Sequence, residues 1–281
     1  MSISPNLEAI TSATIALIGE PFQWCPIPGG SVHLEDASGP NYDLMRHKGT
    51  SGGTYQVADF AMAKYPITNA QYQRFIDAPT GQANSAWWDY SAAARQFRKD
   101  RPKPHPTAFA GHNHPRSRVS WFDSMAFCAW LSAQLEARDD IATGHQFKIE
   151  LINTWCVRLP TEQEWQRAAV GDSGWPYPWG DRLEQTHANY GDHIGRTTAV
   201  DQYPSGQSPF GVTDMVGNLA EWLLTRWGED SIDVSGYRYR GTRGSAWNVA
   251  TPEYLRAIDR NGWSPRGRLN DAGFRCAYYD A

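Results

Sequence analysis

Five short blocks constrain this chain more than any other feature. In order they read Arg158-Leu159-Pro160-Thr161-Glu162-Gln163-Glu164-Trp165, Tyr177-Pro178-Trp179-Gly180-Asp181, Asp214-Met215-Val216-Gly217-Asn218-Leu219-Ala220-Glu221-Trp222, Arg243-Gly244-Ser245-Ala246-Trp247 and Gly273-Phe274-Arg275-Cys276. The stretches between them have no sustained helical or strand period. Composition says how such a chain can hold together: 13 Trp and 13 Tyr stand among 25 Gly and 18 Pro. That mixture predicts a loop-rich fold whose irregular segments are pinned by large flat side chains with polar tips. Helical repeats and coiled coils find no support. With 281 residues, 41% of them hydrophobic, one domain with an ordinary core is expected.

The N-terminal part supplies more regular signals. Leu7, Ile10, Ile15 and Leu17 are loosely periodic, so residues 1–23 read as a helical arm ahead of a domain spanning 24–281. Phe22 to Leu34, split by Pro26-Ile27-Pro28-Gly29-Gly30, predicts two strands paired around a turn, and Gly49 to Gly53 a turn into one strand, Tyr55 to Met62. Thr68 with Gln71, and Thr161 with Glu164, fit capping boxes that open helices. Ser120 is an N-cap candidate, with Asp123 in the first turn, where the helix dipole favours an acid. Glu162 and Glu164 are two apart and do not share a helix face, so capping is preferred over a catalytic carboxylate pair. Residues 77–118 show no clear period, and the basic run Arg95 to Lys103 reads as a solvated loop.

A formal net charge of -4 argues against a nucleic-acid partner, which needs a basic face. Cys25, Cys128, Cys156 and Cys276 form no CxxC, and Cys128 lies in an apolar helix as a buried inert thiol. Neither a signal peptide nor a membrane span is evident, so cytoplasmic residence without membrane insertion is the default expectation.

The order and spacing of the five blocks resemble the formylglycine-generating-enzyme, or sulfatase-modifying-factor, family. The resemblance covers roughly residues 24–280. It implies an α+β fold, an elaborated C-type-lectin-like single domain with short strands and a few helices. That family holds oxidases, iron-dependent sulfur-transfer enzymes and non-catalytic binding proteins. Members bind calcium at the residues matching Asp214, Gly217, Leu219 and Glu221, so a calcium ion is implied here. Flexible oxygen-rich turns suit that ion. The other reading of the same loop is that Asn218 and Glu221 tie it by hydrogen bonds.

The family's oxidases place two cysteines shortly after the position of Trp247 to bind copper. Here Asn248-Val249-Ala250-Thr251-Pro252-Glu253-Tyr254 contains none, so no copper is expected. The iron-dependent branch uses an HxxxHxE motif on an additional helical domain, and this chain has no such motif. His105, His112 and His114 lie instead near prolines in a loop, where solvated or locally bonded imidazoles are expected.

The segment 245–275 also resembles the C-terminal variable region of proteins diversified by retroelements, which share the lectin-like fold. Taken together, these features predict a non-catalytic protein that binds an unknown protein or small-molecule ligand. Its surface would comprise Trp247, Asn248, Tyr254, Asp259, Asn261, Trp263, Arg266, Arg268 and Asn270. Aromatic and Arg side chains are the usual anchors of such faces. Arg256, Arg260 and Arg275 would belong to the scaffold. The competing expectation is an oxidoreductase or maturation enzyme working through other residues, Ser245 and the 77–118 loop among them. A catalytically dead accessory subunit is a third.

Overall fold

A computed structural model describes residues 7–35, 52–138 and 147–279. Helix α1 (Leu7–Ile18) buries Ile10, Ala13, Thr14 and Ile18. It does not stand apart as an arm. Its Thr14 hydroxyl accepts a 3.1 Å bond from the Trp24 indole, and the Gln71 amide reaches the Pro21 carbonyl at 2.8 Å. Strands β1 (Trp24–Ile27), β2 (Gly30–Leu34), β3 (Gly53–Val57) and β4 (Phe60–Ala63) follow.

The first two strands do not pair with each other. Instead β1 pairs with β4 and β2 with β3, and one register runs through both pairs: Trp24 faces Ala63, Ile27 faces Phe60, Gly30 faces Val57 and Leu34 faces Gly53. The element is a single long hairpin broken midway, where Pro28 and Gly29 face Ala58 and Asp59. Proline offers no ladder donor. At Gly29 a Cβ would lie 2.6 Å from the Val57 carbonyl oxygen, while its amide donates to Asp59 at 2.7 Å. What reads as a turn is therefore a kink, and the strand expected over 55–62 is two strands. Most of the expected Gly49–Gly53 turn lies outside the described residues.

Both expected capping boxes form, at Thr68 and Thr161, and the N-cap Ser120 makes a third with Asp123; they open α2 (Asn69–Asp77), α5 (Glu162–Val170) and α4 (Trp121–Glu136). Between α2 and α4, the region expected to be irregular holds helix α3 (Ala92–Asp100). Ser91 caps it, Ala94 and Phe97 are buried, and Arg98 lies 4.4 Å from the Trp88 ring centroid. The basic run is thus largely helix, its positive charges at the C-terminal end where the dipole favours them.

Helix α4 is buried on nearly every side, as a helix apolar all round must be. Its Ser132 hydroxyl satisfies the Val157 backbone in both directions at 2.8 Å. Around it Phe127 meets Tyr72 at 5.8 Å, Phe75 at 5.6 Å and Phe274 at 5.4 Å between ring centroids. Such pairs contribute about 0.5–1.5 kcal/mol each beyond area burial. The four cysteines are buried, with the thiols of Cys128 and Cys276 3.8 Å apart. Burial pushes Cys25 up to about 11 and Cys156 to about 12, so both stay protonated and unreactive.

Strand β5 (Val157–Arg158) leads into α5, and β6 (Ala220–Arg226), β7 (Arg240–Arg243), β8 (Asn261–Trp263), β9 (Ala272–Gly273) and β10 (Ala277–Tyr278) complete the chain. They form a four-stranded sheet in the order β1-β4-β10-β5 and another in the order β8-β7-β6-β9. The second sheet is antiparallel except that β9 runs parallel to β6. No described helix is long and apolar enough to cross a membrane.

Candidate functional site: a cleft on a buried charged frame

Beneath the second sheet lies a frame of ion pairs. Glu162 is 3% exposed and accepts from Arg260 at 2.7 and 2.8 Å and from Arg243 at 3.0 Å. Burial alone would raise its pKa, but the two guanidiniums outweigh that and hold the carboxyl below its usual range. Glu221 is likewise buried, taking Arg275 on both carboxylate oxygens at 2.7 and 2.6 Å and the Trp165 indole at 2.8 Å. Glu164 caps α5 and pairs in bidentate fashion with Arg158 at 2.9 and 3.0 Å. The capping role was visible from spacing. The role of Glu162 was not, because its partners are 81 and 98 residues away.

Above this frame the chain leaves β7 through Gly244 and Ser245, both at positive φ (88° and 56°). A Cβ at Gly244 would sit 2.9 Å from the Met215 carbonyl oxygen. The Ser245 hydroxyl donates to the Tyr254 carbonyl, which fixes the return of the loop. The result is a cleft of about 130 Å³, walled by Ser245, Val249, Asp259, Asn261, Trp263 and Asp271 among others.

The predicted surface residues divide. Asp259, Asn261 and Trp263 line the cleft, and exposed Asn248 donates to Asp271 on its rim at 3.3 Å. Trp247 is half-buried, edge-on to Phe109 at 5.4 Å, and Tyr254 is half-buried too. The other residues turn away. Arg268 makes a bidentate pair with Asp123 at 2.8 and 3.0 Å, Arg266 reaches Asp100 at 3.2 Å, and Asn270 accepts from Arg118 at 2.6 Å. These three join the segment to α3, the start of α4 and the loop before it. Arg256, placed with the scaffold on resemblance, is 40% exposed with Glu35 3.8 Å away; Arg260 and Arg275 are buried in the frame. Ser245, Val249 and Asp271 complete the cleft without having been singled out as ligand-binding. Only the fold brings them to it.

In the loop Asp214 to Glu221, Asp214 and Asn218 adopt positive φ (54° and 57°). The Asn218 amide donates to Asp214 at 2.8 Å, and its carbonyl accepts from the Thr198 backbone at 2.9 Å. Burial pushes Asp214 up to about 7, against the pull of Asn218 and Arg275. The resemblance assigns calcium to Asp214, Gly217, Leu219 and Glu221. Glu221 already accepts from Arg275 on both oxygens and from Trp165 on one. Gly217 and Leu219 would offer backbone carbonyls, which calcium accepts as ligands, and the Gly217 amide donates to the Gly244 carbonyl at 2.7 Å. The hydrogen bonds of Asn218 and Glu221 expected of the alternative reading are present. His114 meets Thr197 at 3.0 Å and His105 its neighbour's carbonyl at 3.0 Å. No group of three His, Cys, Asp or Glu side chains suited to a metal converges among the described residues.

The model of the sulfatase-modifying factor enzyme 1-like domain matches residues 22–279. The chain belongs to that family. Its domain has the C-type-lectin-like fold seen in Treponema denticola variable protein 1, which superposes with a TM-score of 0.62 at 21% identity, covering 93% of this chain and 96% of that one. Hercynine oxygenase of Mycobacterium tuberculosis is 31% identical over 252 residues, 79% of this chain. The match covers only 53% of that oxygenase's own length. An inactive C-alpha-formylglycine-generating enzyme 2 of Mus musculus is 26% identical over 262 residues, covering 79% of this chain and 75% of its own.

Proposed function

We propose that this family member is a non-catalytic binding protein whose cleft, built from the segment 245–275, receives an unknown protein or small-molecule ligand. The observation that carries the reading is the cleft itself. Asp259, Asn261, Trp263 and Asp271 offer polar and aromatic surface on a frame of buried ion pairs. A rigid frame under a mixed aromatic and polar wall lets wall residues change without loss of fold. Two further facts support it: residues 248–254 carry no cysteine, and all four cysteines of the chain are buried. The likeness to a variable protein and to an inactive enzyme is consistent with it.

The test is to sequence the gene from many independent isolates. Substitutions concentrated at adenines in the codons for 245–275, beside a near-copy of that stretch and a reverse-transcriptase gene, are the expected result. A uniform sequence would remove the diversified form of the proposal. The 31% identity to an oxygenase keeps an enzyme as the second reading. Formylglycine found by mass spectrometry after incubation with copper and a cysteine-containing sulfatase peptide would establish it in place of the first.

A further inference from the structure

The basic run at the end of α3 gains further cations from the C-terminal segment. Arg95, Lys99, Arg101 and Lys103 are exposed, and none of them meets a carboxylate among the described residues. Arg95 donates to the Asp89 carbonyl at 2.9 Å, and Arg101 to the Arg266 carbonyl at 2.9 Å. Arg268 reaches the Lys103 carbonyl at 3.4 Å. These bonds set Arg266 and Arg268 beside the run. The carboxylates joined to it are Asp100, 3.2 Å from Arg266, and Asp123, 2.8 Å from Arg268. The face thus holds an excess of positive charge in a chain whose formal net charge is -4.

That excess works against the helix that carries it. Arg95 and Lys99 are four apart on one side of α3, where like charges are destabilising. The helix dipole offsets this only in the last turn, which holds Lys99 but not Arg95. Exposed aromatic surface adjoins the same face. Tyr237 is 40% exposed, with its hydroxyl on the Ala93 carbonyl at 3.3 Å and its ring 5.1 Å from the Arg266 guanidinium. Arg with Tyr is the combination that anchors protein interfaces. A nucleic acid or an anionic membrane would extend beyond this face. Past a Debye length, about 10 Å at 0.1 M salt, it would meet the negative remainder of the chain. A short acidic stretch of polypeptide touches the basic face alone.

We propose that this face, formed by α3 and the loop 264–268 with Tyr237 at its edge, docks an acidic segment of a partner protein. Arg95, Lys99, Arg101 and Lys103 supply the charge, and Tyr237 the apolar contact. The proposal does not depend on the cleft having a ligand.

Fluorescence anisotropy of a labelled oligoglutamate with the full chain, at low and at physiological ionic strength, tests this. Oligoglutamate should bind at low ionic strength and weaken as salt rises. Lys99→Glu with Lys103→Glu should weaken binding about tenfold or more. Both positions are exposed, so the fold is kept. Lys148→Glu with Arg182→Glu makes the same change of net charge at exposed positions outside the face. That pair should leave binding within about twofold of wild type. Absence of binding, or equal loss in the two double variants, overturns the proposal. Tighter binding of oligothymidylate, or of vesicles rich in phosphatidylglycerol, also overturns it, since the face would then select phosphate over carboxylate.

Discussion

The frame beneath the cleft and the wall above it are made from the same stretch of chain and obey different rules. Arg243 lies just before the wall in sequence and Arg260 within it, yet they are 2% and 3% exposed, both committed to Glu162. Asn248 is exposed, and Asn261 is half-buried on the cleft wall. A buried charge with two partners cannot be replaced alone, whereas a polar group beside solvent can. The difference is one of solvation, and it decides which residues of the segment are free to vary.

The largest effect should follow from breaking the frame. Glu162→Ala leaves two buried guanidiniums without their carboxylate and should cost about 3–5 kcal/mol, read by urea unfolding. A cost under about 1 kcal/mol would show that the frame is not the support of the wall. Titration sharpens the same point. The folded pKa of Glu162 lies below its unfolded value, so its stabilisation is full above an unfolded pKa of about 4.3 and is lost as pH falls through the folded value. Wild type should lose stability below about pH 4 more steeply than a Glu162→Gln variant. Parallel pH profiles would break the assignment.

An intermediate effect is expected where the segment meets the helices. Arg268→Ala removes the bidentate pair with Asp123, which itself caps α4, and should cost about 1.5–3 kcal/mol. No loss of stability would return Arg268 to the binding surface where the sequence had placed it. A small effect is expected in the wall. Asn248→Ser and Asn261→Ser should each shift stability by no more than about 0.5 kcal/mol while the fold is kept. Unfolding of the double variant would make the wall part of the frame. Smallest of all, chelator should leave the Tm unchanged, since Glu221 already belongs to Arg275. A Tm that falls with chelator in wild type but not in Asp214→Ala would restore a calcium ion to that loop.

Much of the fold was legible. Two capping boxes and the N-cap at Ser120 announced themselves through side chains and backbone amides within four residues, and each helix began where spacing placed it. The helix at Ala92–Asp100 was equally local, with Ser91 as cap and Phe97 inward, but the surrounding prolines and basic residues masked a period only nine residues long. The long hairpin was harder, because its strands pair across residues 36–51 instead of with their neighbours. In the site, local sequence showed that residues 248–254 carry no cysteine. It could not separate Arg260, which is buried on Glu162, from Arg256, which is half-exposed, since the two differ by four positions and share one residue type.

By itself, then, the sequence determined the family, the helix starts at Thr68, Ser120 and Thr161, and the absence of a cysteine pair after Trp247, because each rests on groups near one another along the chain. Only the tertiary structure decided which charges are frame and which are wall. That division depends on which carboxylate meets which guanidinium out of water, over separations of 54 to 98 residues. Coulombic attraction and desolvation act through space, and sequence distance carries no record of either.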